Sequence, residues 1–180
     1  GRTFRRVRGE YIHVVNVQGS RYGGQFAINL AIQPVFIPDV LGNQPNTKKI
    51  TESECEFRRR LSESGADQWW KYDDSKSLEI AMNDAVNLYL KFGRVSFNAM
   101  SATPSPIQSI TAAQLSASGY DFNGFGSTNV RMSLALARIR EVEGNYDEAI
   151  SFAVYGLENC GKAFLLKPEL ERIAALPNKA

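Results

Sequence analysis

The chain has 180 residues, 21 basic against 19 acidic side chains for a formal net charge of +2, 43% hydrophobic residues, two cysteines and one histidine. That length holds one core of respectable size, or one core with a helical appendage, and the near balance of charge excludes a global field that would favour nucleic acid or an acidic membrane surface. A lone histidine excludes a multi-histidine metal site, and two distant thiols, Cys55 and Cys160, form no CxxC motif and are too few for a secreted disulfide framework.

Reduced thiols and a cytoplasmic location are therefore the expectation. The sequence contains no uninterrupted apolar run of about 18 residues and does not open with a basic-then-apolar pattern.

In chain order, the first clear element is a pair of strands. Tyr11 to Gln18 places Ile12, Val14, Asn16 and Gln18 on one face and Tyr11, His13, Val15 and Val17 on the other, the pattern of a strand inside a sheet. From Gln25, the residues Phe26, Ile28, Leu30 and Ile32 alternate with Gln25, Ala27, Asn29 and Ala31, which predicts a strand with one apolar face turned inward. Gly19 to Gly24 tolerates positive φ and is too short for a parallel crossover, so an antiparallel hairpin follows. Pro34, Pro38, Gly42 and Pro45 then mark a loop. Alternation resumes over Glu54 to Leu61, with Cys55, Phe57, Arg59 and Leu61 expected on one side. A helix capped by Asp74 or Ser75 carries Leu78, Ala81, Ala85, Leu88, Tyr89 and Phe92 at helical spacing, a stripe that should cover the sheet.

Residues 101–126 read as a connection rich in Ser, Ala, Pro and Gly, with one turn of helix around Thr111 to Leu115. Beyond it, Ser127 or Thr128 opens a helix that stops near Gly144, a second runs from Asp147 to about Asn159, and Pro168 starts a short last helix. The expected fold is α+β: an antiparallel sheet covered by a long helix over 1–100, the connection, and a helical extension over 127–180 packed on the same core as one domain.

The run GRTFRR at 1–6, the cadence Asn16, Gln18, Ser20, the pair Gly23-Gly24, the strand FAINLAIQP and the pair Trp69-Trp70 resemble the bacterial family numbered 4304 among domains of unknown function, over roughly the first hundred residues. The resemblance implies a soluble α+β domain with an antiparallel sheet and transfers no activity or catalytic residue. Family members usually carry a helix before the GRTF segment, so it also implies that this chain starts inside its own domain. Separately, EGNYDEAISFAVYGL, through Gly144, Tyr146 and Ala149, resembles the turn and second helix of one tetratricopeptide repeat within about 128–160. A repeat array needs about three such units, so a plain helical hairpin is the favoured reading.

Four groups of residues could carry chemistry. A thiolate needs an adjacent base, so Cys55 and His13 form a formal dyad if their strands pair, against which a buried structural thiol is strongly favoured. The amides Asn16, Gln18, Gln25 and Asn29 either line a polar pocket or knit the sheet, the second being preferred. Arg2, Arg5, Arg6 and Arg8 form one basic cluster and Arg58, Arg59 and Arg60 another, although Glu52, Glu54, Glu56 and Glu63 are placed to neutralise the latter. Arg21, Tyr22, Arg58, Arg60 and the pair Trp69 and Trp70 form a candidate binding face, of which one tryptophan belongs to the core.

No catalytic residue, metal or cofactor is assigned. The leading expectation is a non-enzymatic module that binds another protein, as a toxin-immunity protein does. Binding of nucleic acid through arginine and aromatic residues is the alternative, and a hydrolase using Asp67, Asp73 or Asp74 is the third reading.

Overall fold

The computed structural model of the chain describes residues 1–118, 120 and 122–177. Five strands form one antiparallel sheet: β1 (Arg2–Arg8), β2 (Tyr11–Gly19), β3 (Gln25–Pro34), β4 (Phe57–Arg60) and β5 (Trp70–Lys71). The order is β1-β2-β3-β4, with β5 also pairing β3. The hairpin register sets Asn16 opposite Asn29 and Val15 opposite Leu30, and Ser20 to Gly24 form its exposed tip. Phe26, Ile28, Leu30 and Ile32 are all buried, as their alternation requires.

β1 is the strand that alternation does not reveal, because none of its residues is fully buried. β4 starts later than expected. Glu52–Glu54 forms a 3-10 turn, so regular alternation begins only at Phe57. Cys55 and Phe57 consequently fall in different apolar clusters rather than on one side: Cys55 packs with Ile12, Val14, Ala31 and Ile50 behind the sheet, and Phe57 belongs to the main core.

A long helical stretch crosses the main-core face. Asp74 caps α1 (Ser75–Leu88) by accepting a hydrogen bond from the Ser77 backbone N–H at 2.7 Å. The helix then widens into a π turn over Tyr89–Gly93 before α2 (Arg94–Met100). The turn sits where Gly93 meets the sheet: a Cβ there would lie 2.7 Å from Tyr89 Cδ2 and 3.1 Å from Leu30 Cδ1, so only glycine allows this approach. The connection contains two short helices, α3 (Pro106–Ser109) and α4 (Ala112–Ser118), one more than its composition suggests. Gly119 and Asp121, within that connection, lie outside the described residues.

α5 (Asn129–Val142) and α6 (Tyr146–Glu158) form the helical hairpin, turned at Gly144 with φ +76. α7 (Lys167–Ala174) closes it, with Leu170 pressed on Gly156 of α6. Phe57 of the sheet, Phe97 of α2, Leu136 of α5 and Phe152 of α6 belong to one contiguous core.

Two polar ties hold the helical extension. Arg140, itself buried, donates to the carbonyls of Ile107 and Ile110 at 3.0 and 2.7 Å. The Glu56 carboxylate, wholly buried, faces Arg131 at 3.3 Å and Arg138 at 3.8 Å, both on α5. Removing one member of such a buried cluster strands the remaining charges. Glu56→Ala is expected to cost about 3 kcal/mol of unfolding free energy in urea titrations, and a loss below about 1 kcal/mol would show that solvent reaches the two guanidinium groups.

Candidate functional site

The sheet has two sides with different cover. Behind its lower half, the loop after β3 buries Ile12, Val14 and Ala31. The upper half of that face stays open and polar. Thr3 of β1, Asn16 of β2 and Asn29 of β3 stand in one row across the register. Asn16 donates to Thr3 Oγ1 at 3.0 Å, and Asn29 donates to Asn16 Oδ1 at 3.2 Å and to Gln18 Oε1 at 2.9 Å. Arg60 continues the row from β4, reaching Gln18 Oε1 at 3.2 Å. Three of the four amides expected to line a pocket therefore form a hydrogen-bonded ladder, which fixes their side chains without enclosing them.

Gln25 is not part of that ladder. It lies with Gln18 in a shallow depression of about 450 Å³ that Arg21, Tyr22 and Trp69 also line. A second depression of about 340 Å³, shared by Asn29, Glu52, Arg58 and Arg60, lies on the same face. The two residue groups that the sequence suggests separately, amides and arginine-aromatic residues, thus meet on one surface.

Within that surface, Arg60 stacks over the Trp69 ring at 5.2 Å and pairs with Asp67 at 2.8 Å, and the Trp69 indole donates to the same carboxylate at 2.9 Å. Arg21 covers the ring of Tyr22, which is 83% exposed at the hairpin tip. Trp70 is the member of the proposed face that does not belong to it. Its position opposite Phe26 turns it into the core, where it stacks on Phe26 and its indole donates to Asp84 at 2.7 Å. Arg59 also points inward, to Ser96 and the Asn123 carbonyl.

Of the four neighbouring glutamates, Glu52 lines the depression with Arg58 and Arg60, and the other three are engaged elsewhere. Glu54 caps Thr51, Glu56 is buried against α5, and Glu63 pairs with Lys91. Among the described residues, neither Arg21 nor Arg58 has a salt-bridge partner.

The dyad of His13 and Cys55 is not assembled. His13 turns to the opposite face, where its ring stacks on Phe97 at 4.4 Å and Nε2 meets Ser101 Oγ at 2.6 Å. Cys55 donates its thiol to the Thr51 carbonyl. Burial, reinforced by Glu52 and Glu54, pushes this thiol well above its ordinary range, which disfavours the thiolate. Two of the three carboxylates named for hydrolysis also have structural occupations: Asp67 binds Arg60 and Trp69, and Asp74 caps α1, its pKa held low by the hydrogen bonds from Ser77.

The amino-terminal basic cluster is divided by the strand. Arg5 goes to one side and donates to the Lys49 and Ile50 carbonyls. Phe4, Arg6 and Arg8 go to the other side. There they join His13, Tyr89 and Arg94 around a groove of about 370 Å³ between β1 and the long helix. This groove escapes a reading of local clusters because Arg94 is remote in sequence, although the shared parity of Phe4, Arg6 and Arg8 is the signal that could have exposed half of it.

The sheet and long helix just described coincide with the segment covered by a family model, that of a domain of unknown function named DUF4304, which matches residues 1–97. The chain belongs to the DUF4304 family. That segment contains all but Gly126 of the residues lining the two depressions of the polar face and all but Asn98 of the groove. No curated protein and no solved structure matches the DUF4304 chain.

Two measurements follow from these environments. Both thiols are free and buried, so alkylation of denatured, unreduced protein is expected to add two adducts by intact mass, and zero adducts would indicate a disulfide. His13 is pushed down from 6.5 to about 4, first by burial and then by Arg8 and Arg6. The unfolded chain takes up this proton before the fold does. The stabilisation is therefore complete above pH 6.5 and is lost as the pH falls toward 4. In paired denaturant titrations at about pH 7 and about pH 4.5, His13→Gln is expected to lose less stability on acidification than the parent, and equal losses would contradict the assignment.

Proposed function

We propose that this chain is a non-enzymatic bacterial binding module of the cytosol, whose contact surface for another protein is the open polar end of the sheet. The observation that carries the reading is the convergence of Arg21, Tyr22, Arg58, Arg60 and Trp69 with the amides Gln18 and Gln25 along one face. Arginine and aromatic side chains are the usual anchors of protein interfaces, and the stacked Arg60 and Trp69 present such anchors with part of their ordering cost already met. Rigid amides beside them supply donors and acceptors in fixed positions. Holding and neutralising a toxin is one concrete form of this activity. The occupations of Cys55, Asp67 and Asp74 in packing, pairing and capping favour binding over hydrolysis.

Affinity capture from the native host, repeated with Arg58→Ala/Arg60→Ala protein, tests the reading. A nuclease-resistant protein partner should be retained by the parent and lost by the double variant. The melting transition should change little, since surface ion pairs such as Arg60 with Asp67 contribute roughly 1 kcal/mol or less. Retention that disappears with nuclease treatment and weakens steeply with salt would instead favour the nucleic-acid reading.

A further inference from the structure

The groove between β1 and the long helix has the composition of an anion site, and its positive charge is not balanced by any carboxylate lining it. Arg6 and Arg8 project from β1, and Arg94 projects from the opposite wall at the start of α2. Arg8 donates to Asn98 Oδ1. Neither Arg6 nor Arg94 has an ion-pair partner among the described residues, and no carboxylate lines the groove. Three guanidinium groups facing one space repel one another, and an anion between them relieves that repulsion while accepting their forked donors.

A second, independent feature points to the same place. The helix departs from α geometry only over Tyr89–Gly93, and π turns inside α-helices are frequent at functional sites. This turn supplies Tyr89 to the groove and sets the position from which Arg94 enters it. The groove also offers an aromatic surface. Phe4 is 53% exposed on its sheet wall, which leaves its ring accessible to a flat ligand.

We propose that this groove binds a nucleoside phosphate, its phosphates held by Arg6, Arg8 and Arg94 and its base laid against Phe4 and Tyr89. The size suits one nucleotide rather than a strand: about 370 Å³ is near the lower end of small-ligand sites, which run from roughly 300 to 1,000 Å³. Arginine matches phosphate oxygens bidentately, and base-on-aromatic stacking adds affinity that inorganic phosphate cannot gain. The site lies on the opposite side of the sheet from the polar face, so it is separate from the proposed protein contact. His13, the sole histidine, borders it and reports on it.

Calorimetric titrations with AMP, ATP, adenosine, inorganic phosphate and an eight-nucleotide single strand test the assignment, with the His13 ring resonance followed in parallel. AMP or ATP is expected to bind and shift the His13 signal, adenosine to bind at least tenfold more weakly, and phosphate to fall between them. Arg6→Ala and Arg94→Ala, on separate elements, should each weaken nucleotide binding at least tenfold. Phe4→Ala should reduce AMP toward the affinity of phosphate, and Arg58→Ala/Arg60→Ala should leave all affinities unchanged. Circular dichroism of each variant establishes that it is folded. Absence of AMP and ATP binding at millimolar concentration, binding indifferent to both arginine substitutions, or tighter binding of the single strand than of either nucleotide would overturn the proposal.

Discussion

One buried carboxylate joins the two halves of this molecule. Glu56 comes from the segment just before β4, and its charge is met by Arg131 and Arg138 on α5, far along the chain. Burial raises the pKa of its carboxyl group and the Arg131 guanidinium opposes that rise, so the ionised form depends on the helix being docked. The backbone N–H of the same residue donates to the Gln33 side chain, whose amide in turn binds the Ile37 and Pro38 carbonyls. Sheet, loop and helical extension are thereby fixed through one short segment, in a setting where a polar group left unpaired would be costly.

Around that tie, β3 serves as the shared wall. It pairs β2 on one edge and both β4 and β5 on the other. Phe26, Ile28, Leu30 and Ile32 face the helices, whereas Ala27 and Ala31 are buried on the reverse. The expectation of one apolar face thus understates how enclosed the strand is. On that reverse side Ala31 packs under the covering loop, whereas Asn29, two residues along, stands in the polar row. The open polar end exists because the covering loop stops short of it.

The elements that were legible in the sequence are those with a recurring apolar pattern between clear turn or cap signals: the hairpin, α1, and the pair α5 and α6, although β3 and α5 are enclosed on more than one side. β1 was illegible because an edge strand with Arg, Phe and Val all partly in water has no hydrophobic alternation to detect. The π turn was illegible for another reason, since it depends on the contact of Gly93 with Leu30 and Tyr89, which no local pattern encodes. Among site residues, the arginine-aromatic group could be listed from the sequence because the chain clusters it in three short runs. The division of labour within it, Trp69 outward and Trp70 inward, needed the register of β5 against β3. The groove combines residues from opposite ends of the family-matched segment, and only the packing of the long helix on the sheet brings them together.

The arginines of β1 have one more consequence. Among the described residues this strand pairs only with β2, so its outer edge presents backbone donors and acceptors with no neighbouring strand in the sheet. Such an edge is a template onto which another extended chain can add, and charged side chains along it are a common protection. Four of the seven residues of β1 are arginine, so a second copy aligning there would bring guanidinium groups against guanidinium groups. Positive charge along this strand therefore guards the sheet against self-association and fibre growth, and any modification that neutralised it would remove that guard while leaving the interior intact.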